Sequence, residues 1–237
     1  DRYWGRVKVH EWGGFSTSQM RSDIESGTYD GWDDPRLPTL AGLRKRGTQA
    51  KALRDFWIEL GITQKDISVP LATLYSHNTK VIDDDAPRLA FVRHAAEFSL
   101  EGDHPDKLTI PVHPNHSEMG HRTWDLKGGQ VWLESDDLEK MDLRLKEFAD
   151  VALHDRIARV ESIERSDQRP IVHWLPHNTS SEAVVIGTKD NTLFHIEGRL
   201  ESHKYTPGTI VQLERVGYAI LIDATTLLLC HENLQDD

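Results

Sequence analysis

The chain has 237 residues, 38% of them hydrophobic, a formal net charge of -11 and one cysteine, Cys230. That length can bury a real core as one large domain or a few small ones, whereas no run approaches the roughly 18 apolar residues of a membrane helix, and Asp1–Gly5 lacks the basic and apolar regions of a secretory signal. A lone cysteine excludes an internal disulfide and a Cys-rich zinc site and fits a reducing compartment, so the expected setting is the cytoplasm, with no membrane partner.

In chain order, Arg6–Trp12 reads as a strand ending at Gly13 and Gly14. Nothing precedes it to pack on, and an unpartnered edge strand is a liability. Residues 1–15 are therefore read as the remnant of a sheet whose other part lies outside this chain. From Ser16 a flexible Ser/Thr-rich loop is expected to feed a turn of Gly31, Trp32, Asp33, Asp34, Pro35 and Arg36, with Asp33 and Asp34 capping a helix that Pro35 opens. Leu40 and Leu43, then Ala50, Leu53, Trp57 and Leu60, recur at helical spacing, with Thr48 as N-cap and Gly61 as stop. A further helix is expected from about Pro70 to Ile82, closed by Asp83, Asp84 and Asp85.

Between Arg44 and Arg54 stand five basic residues, Arg44, Lys45, Arg46, Lys51 and Arg54, and no acidic one. The overall acidity argues against a nucleic-acid partner, but this cluster reads either as a solvated helix face or as a phosphate-contacting surface. Beyond Pro87 the pattern changes to short β-rich runs: Leu89–Val92, Lys107–Val112, Gln130–Leu133, Val151–Ile163, Ile171–Leu175, Ala183–Ile186, Leu193–Gly198, Thr209–Leu213, Tyr218–Ile222 and Leu227–Cys230. Turns such as Lys127-Gly128-Gly129 and Lys189-Asp190-Asn191 separate them. The fold class is α+β, helical to about residue 85 and then a barrel or sandwich, without an internal sequence repeat or a low-complexity linker.

Other constellations carry less. His104, His113, His116 and His121 match no zinc spacing, so no metal is expected. No G-x-S-x-G elbow supports a hydrolase among the 13 histidines. Trp124, Trp132 and Trp174 fall in strand-like runs and read as core.

Six segments then stand out, in order from residue 16 to about 222: "STSQMRSDIESGTYDGWDDPRLPTLAGLRKRG", "DDDAPRLAFV", "HPNHSEMGHR", "DLRLKEF", "IVHWLP" and "IVQLERVGYAILID". Together they resemble the C-terminal half of archaeal-type glutamyl-tRNA synthetases, class I enzymes with glutaminyl-tRNA synthetases as near kin. The resemblance implies a remnant of the catalytic-domain edge over 1–15, a KMSKS-like loop and helical stem-contact region over 16–85, and two mostly antiparallel anticodon-binding β-barrels over 86–237. No segment matches the HIGH-type motif of the catalytic domain. The expected parent reaction, ATP- and Mg2+-dependent attachment of glutamate to tRNA, is thus not expected of this chain alone, nor is bound cofactor.

Ser16, Thr17, Ser18 and Gln19 occupy the place of the ATP-binding KMSKS-like loop, where the family carries Lys at or beside Gln19; Arg21 is the candidate substitute. By the same resemblance Arg36, Arg44, Lys45, Arg46, Lys51 and Arg54 would contact tRNA backbone, and Arg88, Asn115, Arg144, Gln212 and Glu214 would contact the anticodon. Gln212 and Glu214, two apart on a strand, would share a face and meet a uracil edge together. Leu213 stands where the family usually has Phe, and Asp83 where the glutaminyl enzymes carry Asn. The implied partner is glutamate tRNA, with glutamine tRNA as second candidate, bound by a monomer. The run Asn78–Asp83 ranks a glutaminyl enzyme second, and a non-catalytic RNA-binding module is the alternative from another class.

Overall fold

The computed structural model describes residues 7–61, 65–139, 141–166 and 168–231. Its described α-helices all lie before residue 83: α1 (Thr17–Glu25), α2 (Leu40–Lys45), α3 (Ala50–Leu60) and α4 (Leu71–Ile82). None of the described helices is long and apolar enough to cross a membrane. The apolar periodicity of α3 and α4 does what it implies: Phe56 and Leu74, with Leu43 and Leu71, form a small core against which Val9 and Trp12 pack. The N-terminal strand is real but shorter than expected, β1 (Val7–Val9), and it has a partner downstream, the parallel strand β2 (Ile67–Val69). Glu11 fastens this pair to the helices by accepting the Leu71 N–H at the start of α4, 2.8 Å away.

Three local expectations change. Residues 17–25 are helix, not loop, with Ser16 as its N-cap accepting the Gln19 N–H at 3.2 Å. Pro35 opens no helix; α2 begins at Leu40 behind the N-cap Thr39, whose Oγ1 accepts the Gly42 N–H. Asp34 is instead fully buried as the hub of the turn, accepting from the Asp30 and Arg36 amides at 3.0 and 2.9 Å. Finally, Gln49 and not Thr48 precedes α3, without a side-chain cap, while Gly61 ends it at a φ of 66° as glycine allows.

Two seven-stranded sheets follow. The strands are β3 (Arg88–Leu89), β4 (Phe91–Arg93), β5 (Ala95–Glu101), β6 (Lys107–Pro111), β7 (His121–Asp125), β8 (Gln130–Glu134), β9 (Asp142–Leu145), β10 (Asp150–His154), β11 (Ile157–Ser162), β12 (Ile171–Val172), β13 (Trp174–Pro176), β14 (Ser180–Lys189), β15 (Thr192–Glu201), β16 (Ile210–Leu213), β17 (Gly217–Leu221) and β18 (Thr226–Leu229). The first sheet runs β12-β9-β10-β11-β5-β8-β13 and the second β3-β16-β17-β18-β14-β15-β4. β6 and β7 form a separate hairpin.

In each sheet the two outermost strands are consecutive in the chain, separated only by His173 in the first and Ala90 in the second. One extended segment therefore supplies both edges, which curls each sheet into a barrel and protects its edges. The order of pairings is also the same in both, parallel, antiparallel, antiparallel, parallel, antiparallel, antiparallel. The fold thus repeats where the sequence does not. The cores are Phe98, Leu133, Leu143 and Trp174 in the first barrel and Phe91, Val185, Leu213 and Leu227 in the second.

The expected strand Val151–Ile163 is two strands, β10 and β11, because Asp155 and Arg156 turn the chain at φ 46° and 65°. Strands β2, β5, β7 and β9 are not among the expected ones; Ala95–Glu101 holds no β-branched residue, so β propensity is weak there.

Closure of the second barrel depends on Gly198. A Cβ at this position would sit 2.2 Å from the Val92 carbonyl oxygen and 2.8 Å from the Phe91 ring. Because the nearest obstacle is backbone, Gly198→Ala should destabilise the chain by about 1–3 kcal/mol, read as a lower urea midpoint at unchanged slope. An unchanged midpoint would mean that β4 does not lie against β15 as described.

Candidate nucleic-acid interface

Where the barrels meet, β16 lies beside β3 with Gln212 in register with Arg88. Glu214 and Arg215 follow at the end of β16. From the first barrel come Lys146 and Glu147, in the turn after β9, and His173, the residue that separates β12 from β13. The β6–β7 hairpin adds Pro111 and Arg122. Together they line a groove of about 470 Å3. Arg122, Lys146 and Arg215 against the carboxylates of Glu147 and Glu214 give its lining a positive excess on a chain whose net charge is -11.

The charges are built in. Glu214 Oε2 lies 2.8 Å from Lys146 Nζ and 3.0 Å from His173 Nδ1, with Arg122 Nη2 3.8 Å from Oε1. Burial alone would push this carboxyl up; the hydrogen bonds from His173 and Lys146, with the Lys146 charge, override it and hold it at about 2. Arg122 donates to the Arg88 and Pro111 carbonyls at 2.6 and 3.1 Å, and its Nε lies 2.9 Å from Glu201 Oε1. Glu201 is buried and also accepts the Ala90 N–H at 3.0 Å; here burial prevails and its carboxyl is pushed up despite Arg122. Arg215, at a φ of 65°, reaches across to Asp137 at 3.1 Å, Glu134 at 3.4 Å and the Ile171 carbonyl at 3.3 Å.

Of the residues expected at an anticodon, the groove gathers Arg88, Gln212 and Glu214. Arg88 is buried, and its guanidinium points back to the Ala86 and Asp83 carbonyls at 2.8 and 3.1 Å and to Asp83 Oδ1 at 2.7 Å. Asp83 also accepts from the Tyr218 hydroxyl, and burial, which raises its carboxyl, is outweighed by these two donors. Gln212 differs: among the described residues its side-chain amide has no hydrogen-bond partner. Asn115 is exposed beside Pro114 at the groove's rim, its N–H donating to His113 Nδ1 at 3.1 Å. Arg144 is not brought to the groove. It is buried on the face of β9 away from the core residues Leu143 and Leu145, held by Asp150 at 3.1 Å and by the Ile163 and Phe148 carbonyls at 3.0 and 3.1 Å.

On the helical side, Ser16, Thr17, Ser18 and Gln19 form the exposed first turn of α1, and Gln19 Nε2 donates to Asp23 Oδ1 at 2.8 Å. None of the four carries positive charge, so by themselves they do not fit a triphosphate. Arg36 is locked in its own corner, paired with Asp34 at 2.7 Å, donating to the Thr28 carbonyl at 3.0 Å and stacked 4.6 Å over Tyr29. Arg44, Lys45, Lys51 and Arg54 are exposed, whereas Arg46 is buried against Tyr75. Among the described residues no three His, Cys, Asp or Glu are grouped to hold a metal ion. His113 instead bonds the Asp83 carbonyl, and His116 pairs with Glu118 at 2.8 Å.

Arg122, Lys146, His173 and Arg215 were missed from sequence. All four lie inside the stretches that carried the resemblance, but only the barrel-to-barrel packing shows that they converge.

Residues 86–171 match the family described as tRNA synthetases class I (E and Q), anti-codon binding domain. Over 94% of its length the chain is 37% identical to a glutamate–tRNA ligase of Methanosarcina acetivorans, of which it covers 40%. It is 39% identical over 91% of its length to that of Methanosarcina mazei and 35% identical over 92% to that of Archaeoglobus fulgidus, covering 39% of each. The chain thus spans about two fifths of the length of these curated relatives.

The Glu214 cluster sets a pH dependence. Its folded carboxyl titrates near 2 against an ordinary value of 4.5, so its contribution to stability is complete above about pH 4.5 and is lost as pH falls toward 2. Wild type should exceed Glu214→Gln in unfolding free energy by at most about 3 kcal/mol at neutral pH, and the gap should close in that acid window. A gap that stays constant down to pH 2.5 would contradict the ion-paired cluster.

Proposed function

We propose, for a chain whose residues 86–171 match the anti-codon binding domain family of the class I (E and Q) tRNA synthetases, that it is the tRNA-gripping part of a glutamate–tRNA ligase. Residues 16–85 contact RNA backbone and residues 86–237 read the anticodon. The parent protein activates glutamate with ATP and Mg2+ and transfers it to the tRNA terminus; no step of that chemistry is assigned to Ser16–Gln19. The reading places the protein in the cytoplasm as a monomer.

The observation that carries it is the basic groove at the barrel seam, lined by the half-buried Gln212, whose side-chain amide no other described residue holds. A splayed uracil offers an acceptor–donor–acceptor edge, and the Gln212 amide presents one donor group and one acceptor to it. Glu214 is already surrounded by Lys146, His173 and Arg122. It therefore serves to position Lys146 and the groove wall, while Gln212 makes the base contact. Lys146 and Arg122 supply positive charge for the flanking phosphates, which position an RNA without reading it. Because glutamate and glutamine tRNAs share a middle anticodon U, the same groove accepts either.

Equilibrium binding at one stated salt concentration tests this. The chain should bind a glutamate tRNA transcript about 1–3 kcal/mol better than the same transcript with its middle U replaced. Gln212→Ala should erase that difference. Lys146→Ala should instead weaken both transcripts alike and reduce the salt slope by about 1. Equal binding of both transcripts by wild type would leave a phosphate surface only and overturn the reading.

A further inference from the structure

The basic cluster of residues 44–54 is not uniform once its partners are counted. Lys45 lies 3.0 Å from Asp33, and Lys51 lies 2.6 Å from Asp55 one turn along α3. Arg46 is buried, donating to the Tyr75 hydroxyl at 2.7 Å. Arg44 and Arg54 remain. Neither has an ion-pair or hydrogen-bond partner among the described residues, and both line one open groove of about 340 Å3 between α2 and α3.

The floor of that groove is apolar. Ala50, Leu53, Arg54 and Trp57 recur at helical spacing and so share one face of α3, and Leu40 and Leu43 of α2 stand opposite. Leu43 belongs to the helical core, but Leu40 is 69% exposed and the Trp57 side chain is half exposed. No acidic residue lines the groove. A half-exposed indole sharing a groove with two guanidinium groups that no ion pair holds is complementary to a nucleotide: the ring offers a flat face to a base, and the guanidinium forks match phosphate oxygens. A base within a duplex is stacked on its neighbours and cannot present its face there.

We infer that this groove takes an unpaired nucleotide of the bound tRNA, its base against Trp57 and its phosphate between Arg44 and Arg54. The inference rests on the reading of the chain as a tRNA binder and adds a second contact, lined by none of the residues of the anticodon groove.

The test uses the full chain and glutamate tRNA, with a blunt RNA duplex as the second probe. Trp57→Ala should weaken tRNA binding about tenfold at unchanged salt slope, while Trp57→Phe, which keeps an aromatic face, should stay within about threefold of wild type. The double variant R44A/R54A should weaken binding and lower the salt slope by about 2. Duplex binding should not respond to Trp57→Ala. Thermal melting and sedimentation of each variant accompany the titrations. Trp57→Ala binding tRNA like wild type overturns the inference, as does an equal loss on the duplex, and so does a change of oligomeric state, which would make this face a self-association surface. Should wild type still discriminate the middle anticodon U while Trp57→Ala has no effect, only this inference fails. Should wild type ignore tRNA altogether, the underlying reading fails with it.

Discussion

The barrel seam depends on two short extended segments, residues 88–93 and 171–176, each of which closes one barrel and then leads directly into a strand of the other. The residue at which each segment breaks meets a carboxylate. Ala90 donates its N–H to Glu201 and accepts the Glu201 N–H in return, at 3.0 Å each, while His173 meets Glu214. Arg122 reaches both carboxylates, at 2.9 and 3.8 Å. One guanidinium from the β6–β7 hairpin thus ties together the two points of closure. The groove forms where that tie is made, so its shape is fixed by barrel closure and not by a mobile loop.

Glu201 and Glu214 show how burial and neighbours compete. Both face Arg122, yet their carboxyls move in opposite directions. Glu201 has one cation and little solvent, and desolvation wins. Glu214 keeps some solvent and gains Lys146 and His173, and the charged form wins. Removing one member of such a set leaves a partner charged and poorly solvated, which costs more than the pair contributes. The groove's cations are therefore held at fixed positions, whereas the Gln212 amide is left free. A site that reads a base needs that arrangement, because discrimination arises when a free polar group is left unpaired by the wrong partner.

Much of the fold was legible from local pattern. Helices α3 and α4 follow apolar periodicity, and β14 to β18 follow alternation and turn residues. What failed was whatever depends on distant partners. β1 gained its neighbour sixty residues downstream, and Asp34, placed by sequence as a helix cap, became a buried turn hub because Arg36 folds back on it. The same limit divided the candidate site residues. Arg88, Gln212 and Glu214 lie on adjoining strands and line one groove, while Arg144, on the face of β9 opposite the core residues Leu143 and Leu145, is held by Asp150. An arginine on a strand reads alike from sequence whether its guanidinium meets a buried carboxylate or solvent. Lys146, two residues on, is the cation that reaches the groove.

Net charge is accordingly a poor guide to what this chain binds. With 39 acidic residues against 28 basic ones, long-range attraction to RNA is weak, and recognition must rest on cations that the chain's own acids do not neutralise. Arg36, Lys45, Lys51, Arg144 and Arg169 each have an acidic partner within 3.1 Å. Within the cluster of residues 44–54, subtracting such pairs and the buried Arg46 leaves Arg44 and Arg54 in the groove of the half-exposed Trp57. In the anticodon groove Lys146, His173 and Arg122 share the Glu214 carboxylate, so no single one of them is matched by a carboxylate of its own there. Acidity elsewhere then sharpens recognition, since phosphate is repelled from most of the surface and favoured only where the fold has left positive charge unspent.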